Sequence, residues 1–170
     1  MAKILRSFKP IANKRSRILI LGSMPGPEAL RKKEYYGFKG NQFWRIIAEI
    51  FSVSQPLSYQ EKISLLKENH IALWDVLKSC AREGSSDSKI ENEQPNNLVW
   101  MIKKYPTIRT IFLNGKTAKK MFRKYFGGVI QILVYDLPST SPAHASMRYE
   151  KKLEKWRVIM NYLGNRNPWC

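Results

Sequence analysis

The side chains most able to do chemistry follow short apolar runs of the sequence. A turn rich in glycine and proline covers residues 22–26, Asp75 and Asn114 each follow another run, and a segment rich in serine, threonine and proline covers residues 137–146. Such a turn can direct backbone N–H groups at a ligand, a carboxyl group can hydrogen-bond a base, and small hydroxyl groups suit a phosphate backbone. Taken singly, these features are also typical of strand-to-helix turns and helix caps.

An aromatic segment, residues 35–44, lies between the first and second of these apolar runs. Its rings can sandwich an unstacked nucleic-acid base, and Asn41 supplies an amide side chain beside them. The alternative interpretation is that Phe43 belongs to the core and that Asn41 caps the helix that follows. The sequence leaves both interpretations open.

The elements that must position these residues follow from the hydrophobic pattern. Short apolar runs alternate with helical spacing, which predicts an α/β fold with a parallel sheet. Strands are predicted at residues 18–21, 71–74, 110–113 and 130–135, and helices at about 42–51, 61–68, 97–104 and 147–163, with a further helix that carries Ala118 and ends at Gly127. Residues 80–97 are polar and predict turns. Ligands bind beyond the carboxyl ends of such strands. The segments that follow the strands, residues 22–26, Asp75, Asn114 and residues 137–146, are therefore expected to meet there.

Length and composition favour one domain over residues 1–170. Hydrophobic residues make up 44% and charged residues 25%, which are ordinary globular values, and no uncharged apolar stretch approaches the roughly 18 residues of a membrane span. The chain has two cysteines, Cys80 and Cys170, which fits a reducing compartment. Neither has another metal ligand at the usual spacing, so no metal site is expected. The basic N-terminus has no apolar region of a secretion signal. We therefore expect an intracellular, cytoplasmic monomer without membrane contact.

The charge is unusual and unevenly distributed. The formal net charge is +17. Residues 1–40 carry ten basic and two acidic side chains and residues 101–170 carry fourteen and three, whereas residues 41–100 carry six and eight. A large field of one sign predicts a polyanionic partner. Because no basic amphipathic helix stands apart from the core pattern, nucleic acid is favoured over an anionic membrane.

In order and spacing, these segments resemble the uracil-DNA glycosylase superfamily, and more narrowly its hypoxanthine (deoxyinosine) DNA glycosylase branch. The resemblance covers nearly the whole chain. It rests on six motifs, which are LGSMPG at 21–26, YYG at 35–37 with NQFW at 41–44, IALWDV at 71–76, GSSD at 84–87, NG at 114–115 and PSTSPA at 138–143.

The resemblance implies a three-layer α/β/α sandwich with a four-stranded parallel sheet, and hydrolysis of an N-glycosidic bond without metal, cofactor or lyase chemistry. Met24 stands where most of the superfamily has a catalytic Asp or Asn, whereas the hypoxanthine branch uses an asparagine like Asn41. Leu137 replaces a histidine of many uracil-releasing enzymes. Asp75 stands where those enzymes place an asparagine that reads the base, and His144 where the branch is expected to have asparagine.

The predicted site therefore has three parts, with Asn41 as the catalytic residue. The base-binding residues are Gly22, Ser23, Met24, Phe43, Asp75 and Asn114. The DNA-binding residues are Ser139, Thr140, Ser141, Pro142, His144, Ser146 and Arg148, with Met147 or Arg148 filling the gap that a flipped base leaves.

The expected substrate is double-stranded DNA that carries a deaminated base, hypoxanthine first, with single-stranded DNA as a further candidate. If the source is a prokaryote, we expect the protein in the nucleoid. Two alternatives stay open: a uracil or G:U/T mismatch glycosylase on the same fold, and a non-catalytic DNA-binding module.

Overall fold

The computed structural model describes residues 3–164, which form strands and helices in alternation along most of their length. The strands are β1 (Ile4–Arg6), β2 (Ile18–Gly22), β3 (Ile71–Asp75), β4 (Leu77–Ala81), β5 (Glu91–Pro95), β6 (Thr110–Asn114) and β7 (Leu133–Leu137). The α-helices are α1 (Pro27–Lys32), α2 (Phe43–Ile50), α3 (Tyr59–Glu68), α4 (Leu98–Lys104), α5 (Lys116–Phe126) and α6 (Tyr149–Trp156), and short 3-10 helices cover Asp87–Lys89 and Arg157–Tyr162. Cys170 lies outside the described residues.

A parallel sheet with strand order β3-β2-β6-β7 organises the chain. Its register pairs Gly22 with Asp75 and Asn114 with Leu137, so neighbouring strands end at one edge. Strands β2, β3 and β6 are buried along their whole length, which requires cover on both faces. The predicted α/β fold around a four-stranded parallel sheet is confirmed.

The helices form where apolar residues recur at helical spacing. In α2, Phe43, Ile46, Ile47 and Ile50 are buried on one side, while Arg45 is exposed. The sequence placed α2, α3 and α4 within about two residues of their observed bounds, and it placed the end of α5 within one residue. It did not predict α1, whose six residues are too short for a periodic signal. No helix among residues 3–164 has the length and apolar character needed to span a membrane.

A second sheet, which the sequence did not predict, joins β1, β4 and β5 in antiparallel order. The expectation that residues 80–97 form only turns is wrong, because β5 occupies Glu91–Pro95. β5 is a polar edge strand with mostly exposed side chains. It therefore lacks the alternation of apolar and polar residues by which a strand is recognised in a sequence. Asn96 fixes its end by donating from Nδ2 to the carbonyl oxygens of Asp75 and Leu77, at 2.9 and 3.0 Å.

Two further boundaries differ from the sequence prediction. The last strand of the parallel sheet is Leu133–Leu137 rather than residues 130–135, because Ile130 still belongs to the turn after α5 and its N–H bonds to the carbonyl oxygen of Phe126. The expected helix over residues 147–163 begins at Tyr149 and becomes a 3-10 helix from Arg157. Apolar spacing marks both segments but does not fix where the backbone geometry changes.

Gly115 connects β6 to α5 in a conformation that requires glycine. Its φ is +93°, and a Cβ placed there would lie 2.8 Å from Cβ of Ser139. Its N–H donates to the carbonyl oxygen of Leu137 at 3.0 Å. The junction thus lets residues 138–144 pass close against the start of α5.

We predict that Gly115→Ala lowers the free energy of unfolding by about 2 kcal/mol, from left-handed strain and the contact with Ser139. The matched control is Gly26→Ala, because Gly26 has φ −72° and nothing within 4 Å of the added Cβ. Urea unfolding of both variants measures the difference. Equal losses would contradict the close approach at Gly115.

Candidate active site

A cavity of about 770 Å³ opens at the carboxyl ends of the parallel strands. Four segments of the chain line it: residues 22–29, 85–88, 114–117 and 139–144. Tyr35, Tyr36, Phe38, Asn41, Asp75 and Arg82 complete the lining. The sheet register therefore brings together residues that are more than 100 positions apart in the sequence.

Most of the residues predicted for the site line this cavity. They are Gly22, Ser23, Met24, Asn41, Asp75, Asn114, Ser139, Thr140, Ser141, Pro142 and His144. Three predicted residues do not line it, namely Phe43, Ser146 and Arg148. Ser146 and Arg148 are exposed, and Arg148 is the N-cap residue of α6.

Asn41 lies just before α2 with its carboxamide held in place. Oδ1 accepts a hydrogen bond from the N–H of Phe43 at 2.9 Å, and the Asn41 N–H donates to the carbonyl oxygen of Phe38 at 2.9 Å. Asn41 therefore bonds to the first turn of α2, as a capping residue would, and also lines the cavity. The N-cap residue of α2 is Gln42. The hydrogen bond to Phe43 restricts the rotamers of Asn41, so the amide is pre-organised at the cavity wall.

Gln42 ties the Asn41 segment to two other parts of the chain. Its N–H donates to the carbonyl oxygen of Thr140 at 3.0 Å. Its Oε1 accepts from Nζ of Lys152, a buried residue of α6, at 3.1 Å. Burial lowers the pKa of the Lys152 ammonium group. These contacts fix the distance between Asn41 and the loop of residues 138–144.

Asn114 uses its side chain to hold the cavity wall together. Oδ1 accepts from the N–H of Thr140 at 3.0 Å, and Nδ2 donates to Oγ1 of Thr140 and to the hydroxyl of Tyr36, each at 3.0 Å. Both N–H groups of the amide and one lone pair of Oδ1 are thereby engaged within the protein. This arrangement favours a positioning role for Asn114 over the direct base contact that the sequence predicts.

Tyr36, rather than Phe43, presents an aromatic ring to the cavity. Phe43 is fully buried, and the Tyr36 ring stacks on it with centroids 4.2 Å apart and planes at 26°. A base could contact Phe43 only by displacing Tyr36. The aromatic segment predicted a stacking site, but the sequence did not show which of its rings faces the cavity.

Asp75 lies at the floor of the cavity, 4% exposed. Its Oδ2 is buried and has no hydrogen-bond partner among residues 3–164. A Cβ on Gly22 would come within 2.6 Å of Oδ1 of Asp75 and 2.9 Å of the Tyr36 hydroxyl, so a larger residue at the end of β2 would have to displace these two groups. Burial, and after it the negative charge of Asp87, raise the pKa of Asp75 to about 8, against the opposing effect of Arg82.

Arg82 is a buried residue of the cavity wall that the sequence did not reveal. It follows β4, and its side chain is 0% exposed. Nη2 donates to the carbonyl oxygen of Pro25 at 2.6 Å, and Nη1 lies 3.4 Å from Oδ1 of Asp87. Oδ2 of Asp87 accepts from Oγ of Ser23 at 2.7 Å. The connection between β4 and β5 thus holds the turn at residues 22–26 in place. The sequence did not reveal this contact, because it did not predict β5.

The loop of residues 138–144 and the start of α5 form the opposite wall. The N–H of His144 donates to the carbonyl oxygen of Ser141 at 3.1 Å, and its buried Nε2 has no partner among the described residues. Lys116 is exposed beside it, at the start of α5. Within residues 3–164, no group of His, Cys, Asp and Glu side chains could hold a metal ion.

Comparison with known proteins identifies sequence and structural relatives. The profile of the Uracil DNA glycosylase superfamily matches residues 9–164. A hypoxanthine DNA glycosylase of Methanosarcina acetivorans is 37% identical over 161 residues, which covers 94% of this chain and 99% of the relative. A hypoxanthine DNA glycosylase of Methanosarcina barkeri is 40% identical over 66% of this chain and 72% of its own length. The solution NMR structure of a candidate uracil DNA glycosylase from Methanosarcina acetivorans superposes with a TM-score of 0.82 at 35% identity, covering 95% and 99% of the two chains.

We predict that Arg82→Met lowers the free energy of unfolding by about 3 kcal/mol, because it leaves the carbonyl of Pro25 and the carboxylate of Asp87 without their buried partner. The control is Arg31→Met. Arg31 pairs with Glu28, but its side chain is 69% exposed, so we expect a much smaller change than in Arg82→Met. Chemical denaturation of both variants tests the clamp. Comparable losses would show that the burial of Arg82 contributes nothing.

Proposed function

Because this chain belongs to the Uracil DNA glycosylase superfamily, we propose that it is a monofunctional DNA glycosylase that releases hypoxanthine from DNA. The observation that carries the proposal is the 37% identity, over 94% of this chain, to a relative named hypoxanthine DNA glycosylase. The cavity supports it, since it combines an aromatic ring, a buried carboxyl group and a fixed amide at one edge of the sheet. These are the groups needed to stack, read and hydrolyse an extruded nucleotide.

Positive charge supplies the affinity for DNA. The chain has a formal net charge of +17, and such charge binds phosphates by releasing counterions. Lys116, the first residue of α5, lines the cavity together with Ser139 and Ser141. Lysine, small hydroxyl groups and a helix N-terminus all suit phosphate oxygens. We expect them to hold the backbone beside the extruded nucleotide, whether the DNA is double- or single-stranded.

Extrusion of the lesion is the first step of recognition. Hypoxanthine in a duplex pairs weakly, so unpairing it costs less than unpairing a normal base. The exposed face of the Tyr36 ring, backed by the buried ring of Phe43, offers a rigid stacking surface. Asp75 lines the cavity, and in this proposal it hydrogen-bonds the base.

Hydrolysis then needs a water at C1′ and a stabilised leaving group. Asn41 has no basic group, so its role is to orient the water rather than to remove a proton. The bond between C1′ and the base breaks with its electron pair on the base, while the water oxygen bonds to C1′. The water gives up one proton to the solvent and the departing base takes one up, so the products are the abasic sugar and the neutral base. The sugar passes through an oxocarbenium-like state, whose positive charge the DNA phosphates stabilise.

Backbone amides near β2 can stabilise charge on the leaving base. The N–H groups of Ser23, Met24 and Gly26 donate no backbone hydrogen bond to another residue of the described part of the chain. Arg82 and Asp87 hold this turn in place. Amides that are fixed beforehand stabilise developing negative charge without reorganisation.

Uracil release is the second candidate, because the NMR structure that resembles this chain is that of a candidate uracil DNA glycosylase. Uracil also offers adjacent N–H and C=O groups to a polar cavity floor. A non-catalytic DNA-binding module is the remaining alternative, and it predicts salt-sensitive binding without base release.

A panel of duplexes with a single hypoxanthine, uracil or xanthine separates these functions. We expect the fastest release for hypoxanthine, measured as strand cleavage after alkaline treatment, and no covalent adduct after borohydride reduction. Faster release of uracil would establish the second candidate. Binding without release of any base would establish the third.

We predict that Asn41→Ala lowers the single-turnover rate of hypoxanthine release at least about 100-fold, since the attacking water loses its orientation. DNA affinity, measured by fluorescence anisotropy, should stay within about threefold of wild type, because basic groups dominate it. The control is Asn161→Ala, at an exposed position outside the cavity lining. An unchanged rate in Asn41→Ala would remove this residue from the mechanism.

A further inference from the structure

The Asp75 carboxyl group is buried in the cavity floor and forms no ion pair with a cation of residues 3–164. Its Oδ2 has no hydrogen-bond partner among the described residues. The cation that acts on it, the guanidinium of Arg82, is hydrogen-bonded to the carbonyl oxygen of Pro25 and to Asp87. The carboxyl group therefore has no strong internal partner that would offset the loss of water on ionisation.

Other charged and titratable groups around Asp75 do not change this balance. Arg82 and Asp87 act on it electrostatically: Arg82 favours the ionised form and Asp87 opposes it. The hydroxyl groups of Tyr35 and Tyr36 are neutral, because burial first and the charge of Asp75 second raise the pKa of each. Glu28, Lys116 and His144 lie elsewhere in the lining of the same cavity. A buried carboxyl group that lacks a bound cation remains protonated at neutral pH.

We propose that Asp75 binds the target base as a neutral carboxylic acid, donating a hydrogen bond from one oxygen and accepting one on the other. The inference rests on the proposed function and names the chemistry by which the cavity floor holds the base. A carboxylic acid matches a base edge that has an N–H next to a carbonyl, as hypoxanthine has at N1 and C6. A carboxylate would accept from N1–H but would repel the lone pairs of the C6 oxygen.

The two protonation states predict opposite pH dependences. Burial raises the pKa of Asp75 to about 8. If the neutral acid is the binding form, the rate of hypoxanthine release falls as the pH rises through 8, approaching about tenfold per unit. If the carboxylate is the binding form, or acts as a general base, the rate rises over the same range.

Asp75→Asn provides the matched test, because an amide keeps one donor and one acceptor and cannot ionise. We expect single-turnover release by the variant to be free of the decline near pH 8, when each profile is normalised to its own value at pH 7. Ionisation of the substrate affects both profiles equally and cancels in their ratio. Asp75→Leu, which keeps the approximate volume but neither hydrogen bond, should be about 100-fold slower than Asp75→Asn.

Three outcomes of the kinetic test overturn the proposal. The first is an Asp75→Asn protein that releases no hypoxanthine although wild type does. The second is a wild-type rate that rises through pH 8. The third is equal rates for the Asn and Leu variants, which would mean that the hydrogen bonds contribute nothing.

A measurement without substrate separates this proposal from the proposed function. The ¹³C shift of the Asp75 carboxyl carbon, assigned by its loss in Asp75→Asn, should titrate near pH 8 in the free protein. The melting temperature of Asp75→Asn relative to wild type should rise between pH 4 and pH 8. Over this range Asp75 ionises in the unfolded wild-type chain but stays protonated in the folded one, so wild type loses stability and the variant, which cannot ionise there, does not. Titration near pH 4 with no such rise overturns the neutral acid even if hypoxanthine is released, whereas a lesion panel without base release overturns the function alone.

Discussion

The site depends on the hydrogen bonds of one buried amide, Asn114. It stands at the carboxyl end of a central strand, and from there it holds both the backbone and the side chain of Thr140 and the hydroxyl of Tyr36. Thr140 in turn accepts from the N–H of Gln42, next to Asn41. Three segments that are far apart in the sequence are therefore fixed to one another through neutral hydrogen bonds. Such networks specify a unique arrangement only when every member is satisfied, and the contacts of Asn114 meet that condition.

Charge is distributed differently at the surface and at the cavity floor. The excess of lysine and arginine creates a field that attracts a polyanion without regard to sequence. At the floor, Arg82 is bonded to Asp87 and to the Pro25 carbonyl, and Oδ2 of Asp75 has no hydrogen-bond partner among residues 3–164. The exterior can therefore collect DNA, while the interior offers neutral donors and acceptors to a base. This separation avoids placing an ionised carboxylate beside a base that departs with negative charge.

The sequence could predict the parallel sheet because fully buried strands appear as unbroken apolar runs, as at residues 18–21 and 71–74. Once the strands were placed, the edge where Gly22, Asp75 and Asn114 meet followed from topology. The antiparallel sheet could not be found in this way, since β5 is polar and exposed, and the clamp by Arg82 was missed with it. Whether Tyr36 or Phe43 faces the cavity depends on packing between an irregular segment and the core, which no local pattern encodes.

The positions of Asn41 and Asp75 suggest a division of labour in the proposed reaction. Asn41 is fixed by a backbone hydrogen bond and cannot take a proton, so it contributes orientation alone. Most of the driving force must then come from the departure of the base, which becomes easier when its carbonyl oxygen receives a proton or a strong hydrogen bond. A neutral carboxylic acid at Asp75 can supply that hydrogen bond, and the backbone N–H groups of Ser23, Met24 and Gly26 can stabilise charge that remains. A site built in this way favours bases whose carbonyl groups can accommodate the electron pair, which is a property of deaminated bases rather than of adenine.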